Sequence, residues 1–242
     1  KNIAFPSNFS VRPPGRYATL SIRDLLRRET DAFPRACRAV AQILRQLAPS
    51  NQDPRAPVLV IGLGNRAVTP DAIGPLCCQN VLATRHLVEQ SPEQFRAFRP
   101  VAVLAPGVLG TTGVETGELV LGVIDRIHPE LILAVDALAA RRLSRLMCTI
   151  QMTDTGIVPG SGVGNDREPL NRDTLGIPVA AIGVPTVIDA SALGGGDAVA
   201  GMFVTPRNID SDVRRAGRLI AYGINLALHR DITVADIDML VG

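Results

Sequence analysis

Two aspartates stand at matched positions in the sequence, where their side chains could act together. Asp71 follows the apolar run 57–61 after a short glycine-containing turn, and Asp136 directly follows the apolar run 131–135. Both runs predict buried strands of an α/β sheet. Ligands of open α/β sheets bind at the carboxyl ends of the strands. If the two strands are near neighbours, we expect the two carboxylates to face each other across a crevice.

Paired carboxylates of this kind suit hydrolysis. Two neighbouring carboxylates do not both ionise easily, so they share a proton and titrate as a unit. One can then activate a water molecule while the other protonates or polarises the scissile carbonyl. The spacing alone leaves an alternative open, in which Asp71 only favours a helix N-terminus and Asp136 only caps the following helix.

Other residues with reactive side chains have weaker support. Asp154 also follows a predicted strand, and the triplet 154–156 is similar to the catalytic triplet of pepsin-like proteases, so Asp154 is a secondary candidate. Cys77 and Cys78 lie in a predicted helix whose dipole can lower a thiol pKa, but no histidine is placed to act as their base. We interpret both cysteines as packing residues and the three histidines as surface or packing residues. The histidines are His86, His128 and His229.

A glycine pattern raises a second class of function. Gly62, Gly64 and Ala67 fit the spacing of a dinucleotide-binding fingerprint, which must open directly into a helix. Here residues 68–70 intervene before the predicted helix, and the second strand ends at 104–106 without an acidic residue. The fingerprint is therefore weak. A dinucleotide- or ligand-binding α/β module without hydrolytic activity is kept as an alternative.

The elements that position these residues alternate along the chain. Thr69 and Pro70 predict a helix start, with a hydroxyl cap and a proline at the first helical position. The predicted strands are 58–61, 101–104, 131–135, 147–152 and 179–183, and the predicted helices are 30–47, 70–89, 116–126, 137–143 and 211–228.

Strands that alternate with helices predict an α/β fold. We expect a doubly wound, mainly parallel sheet with helices on both faces, in a single domain with an N-terminal arm. Residues 1–56 are predicted to form the arm and a helix that packs on the core. Residues 57–242 are predicted to form the α/β peptidase core.

The bulk composition excludes several classes of function. The 242 residues are 46% hydrophobic and 20% charged, with a formal net charge of +2. That charge gives no reason to expect nucleic acid or a charged membrane surface as a partner. No apolar run is long enough to predict a membrane span, and the first residues lack the apolar stretch of a signal peptide. The four cysteines show neither a disulfide framework nor metal-ligand spacing, which predicts a reducing cytoplasm.

Several longer motifs are distinctive. They include Val-Thr-Pro-Asp at 68–71, Asp-Ala-Leu-Ala at 136–139 and Pro-Gly-Ser-Gly-Val-Gly-Asn at 159–165. Further blocks lie at 62–65, 84–87, 105–108, 112–116, 154–157, 175–179, 181–187, 203–206 and 225–229. Together these blocks, which span about residues 57–229, resemble the germination protease family of spore-forming bacteria.

This resemblance implies an endopeptidase that cuts small acid-soluble spore proteins during germination. The family is an atypical aspartic protease, made as a zymogen with an N-terminal propeptide and active as a homotetramer in the cytoplasm of the spore core. Its two essential aspartates map onto Asp71 and Asp136, and no cofactor is expected. Glu115 lies in a matching block and joins Asp154 as a secondary candidate. The fold is similar to that of the hydrogenase-maturation peptidases.

Three features depart from the family pattern. Val158 stands where a histidine is expected, and the segment 191–201 is shorter than in many members. No acidic propeptide is evident before Phe5. These departures bear on zymogen control rather than on the two aspartates.

A nickel-dependent maturation peptidase is the remaining alternative, because the hydrogenase-maturation peptidases bind nickel through carboxylates and a histidine. Such a site needs a histidine beside the two aspartates. His86 lies roughly 22 Å from Asp71 along the predicted helix, and His128 lies about 20 Å from Asp136 at the other end of a strand. Two carboxylates alone make a poor nickel or zinc site, so we expect no metal.

Overall fold

A seven-stranded sheet forms the centre of the fold. The computed structural model describes residues 13–27, 29–50, 53, 55–164, 167–194, 199 and 201–241. The described strands are β1 (Tyr17–Ser21), β2 (Val58–Gly62), β3 (Val101–Leu104), β4 (Leu131–Ala140), β5 (Thr149–Thr153), β6 (Val179–Asp189) and β7 (Phe203–Val204). Their order across the sheet is β1-β5-β6-β4-β2-β3, with β7 also paired to β6.

Four adjacent strands of this sheet are parallel, and the other three strands are antiparallel to their neighbours. β6, β4, β2 and β3 run parallel to one another. β5 and β7 pair with β6 in the antiparallel sense, and β1 pairs with β5 in the same way. The α/β fold class is confirmed, and the parallel strands are the ones that carry the predicted crevice.

Helices cover both faces of the sheet. The described α-helices are α1 (Arg23–Leu26), α2 (Ala32–Leu47), α3 (Ile73–Cys78), α4 (Arg85–Gln90), α5 (Leu109–Thr112), α6 (Thr116–Ile127), α7 (Arg172–Leu175), α8 (Ile209–Leu228) and α9 (Val234–Val241). Within β2, Val58 and Val60 pack towards α2, α3 and α8, whereas Leu59 and Ile61 pack towards α6 and α7. Side chains of a strand alternate between faces, so a strand buried on both faces needs apolar residues throughout. None of the helices in the described ranges is both long and apolar enough to cross a membrane.

The N-terminal part of the described chain is tied into the sheet and the core. β1 extends the sheet by pairing with β5. α2 packs along α8, where a Cβ added to Gly223 would collide with Val40, so glycine allows the close approach of the two helices. Phe33 of α2 contacts the ring of Tyr222 edge to face at 5.3 Å. The division of the chain at residue 56 stays a prediction, and residues 1–12, which include the expected propeptide region, lie outside the described residues.

The predicted helix 70–89 is wrong, because the chain is broken there into three pieces. A 3₁₀ helix spans Thr69–Asp71, and α3 and α4 follow as separate short helices. The buried side chain of Asn225 on α8 accepts a hydrogen bond from the Leu82 N–H at 2.9 Å and donates one to the Asn80 carbonyl at 2.9 Å. These bonds satisfy backbone groups that a continuous helix would otherwise pair internally.

The hydroxyl cap predicted for Thr69 is also wrong. Thr69 lies inside the 3₁₀ helix, after the capping position held by Val68, and its hydroxyl donates a 3.0 Å hydrogen bond to Asp210 of α8. The hydroxyl therefore ties this segment to α8 instead of closing a helix end.

The strand that carries Asp136 is longer than predicted. β4 continues through Asp136 to Ala140, so the predicted helix 137–143 is wrong. β6 continues beside it to Asp189, and the two strands stay paired across a bulge between Leu138 and Ala139. Pairing with the neighbouring strand outweighs the helical preference of an alanine-rich segment. The segment 191–201 begins in a 3₁₀ helix at Ala190–Leu193, while its residues 195–198 and 200 lie outside the described residues.

Candidate active site

Asp136 lies within β4 and is almost fully buried. Only 6% of the residue is exposed to solvent. In the parallel pairing with β6 it stands opposite Gly183. One carboxylate oxygen, Oδ1, accepts a 2.8 Å hydrogen bond from the backbone N–H of Ala137. Its place in the middle of the strand rules out the alternative in which Asp136 only caps a helix.

Asp71 ends the 3₁₀ helix that follows the β2 turn. Its Oδ2 accepts a 2.6 Å hydrogen bond from the Asn65 N–H, and its own N–H donates to the Val68 carbonyl at 2.8 Å. Gly64 has a φ of +106°, and a Cβ there would collide with the Asp71 carbonyl oxygen. Glycine is therefore required for the turn to fold back onto Asp71.

The pairing of the sheet brings the two aspartates to one cavity. β2 and β4 are adjacent and parallel, with Gly62 opposite Val135, and the Leu63 N–H donates to the Val135 carbonyl at 2.8 Å. The segment that follows β2 thus begins level with Asp136. Asp71 and Asp136 both line a cavity of about 630 Å³. This is the crevice that the strand pattern predicts.

The two carboxyl groups differ in how easily they ionise. Burial, and then the negative charge of Asp71, raise the pKa of Asp136 to about 7, although the Ala137 N–H opposes the shift. Burial also raises the pKa of Asp71, and the Asn65 N–H opposes it. Asp136 is the more deeply buried of the two, so burial favours the protonated form of Asp136 more strongly than that of Asp71.

Glu115, a secondary candidate, lines the same cavity and is held by neighbours. It caps α6 in a capping box, in which the Glu118 side chain accepts from the Glu115 N–H at 3.2 Å. Its carboxylate forms an ion pair with Arg167 at 3.3 Å. Arg167 also lines the cavity and is missed by sequence reasoning. The available signal is its position next to the polar, glycine-rich block at 159–165.

Asp154, the other secondary candidate, does not belong to the described lining of this cavity. Its carboxylate is bound by Arg16, which donates from both its backbone N–H and its Nε at 2.7 Å. Burial alone would raise the pKa of Asp154, but the hydrogen bonds and charge of Arg16 hold it below the usual value. Asp154 fastens the chain just before β1 to the end of β5.

The cysteines and histidines take positions that fit packing or surface roles. Burial raises the pKa of Cys78 to about 12 and also raises that of Cys77, so both thiols stay protonated at neutral pH. His86 is exposed on α4, and His128 follows the end of α6. His229 is buried after α8, at a second cavity.

The donor set of the aspartate cavity does not fit nickel or zinc. Its described ionisable donors are the carboxylates of Asp71, Glu115 and Asp136, without an imidazole or a thiolate. Val158, at the position where a histidine is expected, forms part of the wall. Across the described residues, no cluster of three or more histidine, cysteine or acidic side chains could hold a metal ion.

The fold and site define a class: an α/β protein in which a buried carboxyl group on one parallel strand and a partly buried one on the segment after the adjacent strand line a single cavity. Comparison with known families narrows this class. The family model described as germination protease matches residues 7–200. This chain belongs to the germination protease family and is therefore a peptide hydrolase.

Relatives and one solved structure complete the comparison. The germination protease of Caldanaerobacter subterraneus is 39% identical, with 95% of this chain and 83% of that protein covered. Those of Bacillus cereus and Bacillus mycoides are 46% identical, with 75% and 88% of this chain covered. The chain spans about half the length of these Bacillus relatives, 50% and 55%. A NiFe hydrogenase maturation protease from Thermococcus kodakarensis has a TM-score of 0.43 and 19% identity, over 75% of this chain and 98% of its own.

Proposed function

We propose that this chain is an endopeptidase that cleaves small acid-soluble spore proteins during spore germination, with Asp71 and Asp136 as its acid/base pair. The observation that carries the proposal is the shared cavity, in which a buried Asp136 with a pKa of about 7 lies within the electrostatic influence of Asp71. Membership of the germination protease family supports both the reaction and the class of substrate.

In the first step, the ionised Asp71 acts as the general base. It accepts a proton from a water molecule whose oxygen attacks the scissile carbonyl carbon. Asp136, which carries the shared proton, donates it to the carbonyl oxygen. The product is a tetrahedral gem-diol, with Asp71 now protonated and Asp136 ionised.

In the second step, the two aspartates exchange roles. Asp71 gives its proton to the leaving nitrogen as the carbon–nitrogen bond breaks, and Asp136 takes a proton from the gem-diol. A carboxylic acid and an amine leave, and each aspartate returns to its starting state. The deeper burial of Asp136, which raises its pKa to about 7, favours this starting state.

The walls of the cavity suit an extended peptide with apolar side chains. Aliphatic and aromatic residues from strands, loops and one short helix line the cavity around the two aspartates, and these are Val108, Leu109, Leu138, Val158, Val187 and Phe203. The volume of about 630 Å³ lies within the usual range of about 300–1,000 Å³ for ligand pockets. The Arg167–Glu115 ion pair offers the polar groups that could orient a peptide backbone or a polar side chain.

The proposal extends to assembly and control. We infer a homotetramer, made as a zymogen and acting in the cytoplasm of the spore core, from the family resemblance. Exposed apolar side chains support the association of several copies, notably Leu143 and Met202, which are 60% and 61% exposed.

Separate Asp71→Asn and Asp136→Asn variants test the mechanism. With a purified small acid-soluble spore protein as substrate, each variant should lose at least roughly 100-fold in kcat/KM, because acid/base groups contribute about 10²–10⁴-fold. The double variant should lose little more, since the pair acts as a unit. Asp125→Asn, an exposed change on α6, is the matched control and should keep normal activity.

Circular dichroism and particle size must be unchanged in each variant. Near-normal cleavage by either folded variant would contradict the two-aspartate mechanism. Equal cleavage of unrelated unfolded proteins would leave the hydrolysis intact but contradict the proposed substrate.

A further inference from the structure

A second cavity lies apart from the two aspartates and is strongly basic. It has a volume of about 900 Å³ and shares no described lining residue with the aspartate cavity. Its walls come from α2, from the C-terminal end of α8 and from the loops around residues 96–99 and 229–234. Six arginines line it, and Asp231 is the one acidic residue in its described lining. The arginines are Arg38, Arg45, Arg55, Arg96, Arg99 and Arg230.

Most of this positive charge is not neutralised within the described residues. Arg99 interacts by charge with Glu130 and Asp53, and its Nε donates to the Ala56 carbonyl at 2.8 Å. Arg45 donates to uncharged backbone carbonyls at the end of α8, including that of Ala227 at 3.4 Å. Apart from Arg99, none of the six arginines forms an ion pair with a described carboxylate.

A buried histidine adds an unpaired hydrogen-bond donor to this basic wall. His229 is only 3% exposed, and its ring lies 5.1 Å from that of Phe98. Burial, and then the charge of Arg99, lower its pKa to about 4, so the imidazole is neutral at pH 7. Its Nδ1 accepts the Arg99 N–H at 3.3 Å, which leaves the proton on Nε2. Nε2 is buried and has no hydrogen-bond partner among the described residues.

We propose that this cavity binds a small, multiply charged anion bearing phosphate or carboxylate groups. Guanidinium groups bind both kinds of oxyanion through paired, charge-assisted N–H bonds. His229 lines the same cavity, and a shift of its ring on binding would let its Nε2–H donate to an anionic oxygen. A buried polar group without a partner is uncommon enough to call for an explanation, and a bound acceptor provides one.

The burial of His229 favours a small molecule over a nucleic acid or an acidic protein. With 3% exposure, the imidazole is out of reach of a large partner that stays at the protein surface. The volume of about 900 Å³ matches small-molecule pockets, which measure about 300–1,000 Å³. A nucleic-acid backbone would instead follow an open basic groove.

Calorimetric titration of the full chain tests the proposal. The probes are inorganic phosphate, pyrophosphate and citrate, at an ionic strength held constant with sodium chloride. We expect saturable one-to-one binding of at least one multiply charged probe. Tighter binding of pyrophosphate would identify phosphate as the preferred group, and tighter binding of citrate would identify carboxylate.

A paired set of variants separates this site from general charge attraction. The double variant Arg38→Gln, Arg230→Gln removes two exposed guanidiniums from the cavity and should weaken binding roughly tenfold. The control Arg126→Gln, Arg172→Gln makes the same change of charge on α6 and α7, across the sheet, and should leave the affinity within about twofold. Both pairs are exposed, and a thermal melt checks that each variant folds.

Nitrogen-15 spectra of the three imidazoles provide a second readout. The Nε2–H signal of His229 should move with the same saturation curve, while the signals of His86 and His128 stay in place. The proposal is overturned by absence of saturable binding, by equal weakening in the control, or by an unmoved His229 signal. Binding confined to single-stranded DNA or polyglutamate would also overturn it. All of these readouts are independent of peptidase activity.

Discussion

Replacing Asp136 by asparagine should change how the free energy of unfolding depends on pH. In the folded chain, burial and then the charge of Asp71 raise the pKa of Asp136 from 3.8 to about 7. Unfolding removes both effects, so the folded state holds the proton more tightly than the unfolded state. The stabilisation is therefore complete below the ordinary pKa and is lost as the pH rises towards and through 7. Asparagine does not ionise, so the variant escapes this loss.

The size of the effect follows from the two pKa values. Each pKa unit corresponds to about 1.36 kcal/mol, so ionising Asp136 lowers the free energy of unfolding by roughly 4 kcal/mol at pH 8. More than a third of this is already lost at pH 5, because the unfolded carboxyl is mostly ionised there. The difference in the free energy of unfolding between variant and wild type should therefore grow by roughly 2–3 kcal/mol from pH 5 to pH 8. Any fixed cost of burying the amide shifts this difference equally at every pH.

Urea unfolding at pH 5, 6, 7 and 8, at constant ionic strength, measures this growth. Asp154→Asn is a suitable control, because Arg16 holds the pKa of Asp154 low and both states are ionised throughout this range. Its difference from wild type should stay flat. Light scattering at each pH checks that the particle size is constant, since association adds to apparent stability. A flat difference for Asp136→Asn as well would refute the conclusion that Asp136 holds the shared proton.

Three further predictions concern activity and assembly. The kcat/KM for a peptide substrate should fall above about pH 7, as Asp136 loses its proton. It should also fall in acid, as Asp71 gains a proton. A kcat/KM that stays level to pH 9 would contradict the role of Asp136 as the general acid. Activity should survive exhaustive chelation, because the described cavity lacks imidazole and thiolate ligands; loss with EDTA and recovery with nickel or zinc would contradict this. Light scattering should report a particle several times the 25.7 kDa chain mass, and a monomer at micromolar concentration would contradict the tetramer.

Much of the fold could be predicted because local pattern and burial agree. The run that became β2 is apolar at every position, since helices cover it on both faces, and its predicted bounds differ from the observed Val58–Gly62 by one residue. The helix predicted at 116–126 is found at Thr116–Ile127, where Glu115 and Glu118 close its first turn through a local capping box. Each of these elements is stabilised by contacts that its own sequence pattern already indicates.

Other features could not be predicted because distant residues create them. The break between α3 and α4 depends on Asn225, whose side chain arrives from α8, more than 140 positions along the chain. Arg167 lines the cavity through an ion pair with Glu115, 52 positions away in sequence. A sequence pattern read over the length of one helix does not include residues that lie so far away in sequence.

The proposed division of roles between the two aspartates depends on the same feature that makes the predicted helix 137–143 wrong, the extension of β4 to Ala140. A strand that ended at Val135 would have left Asp136 at the mouth of the crevice, as exposed as Asp71. Because β6 stays paired with β4 well beyond this point, Asp136 instead lies within a paired strand, opposite Gly183 of β6, and is only 6% exposed. Asp71, on the turn that follows β2, is only partly buried. In the proposed mechanism, this extended pairing of β4 with β6 is the reason for giving the proton to Asp136 and the role of base to Asp71.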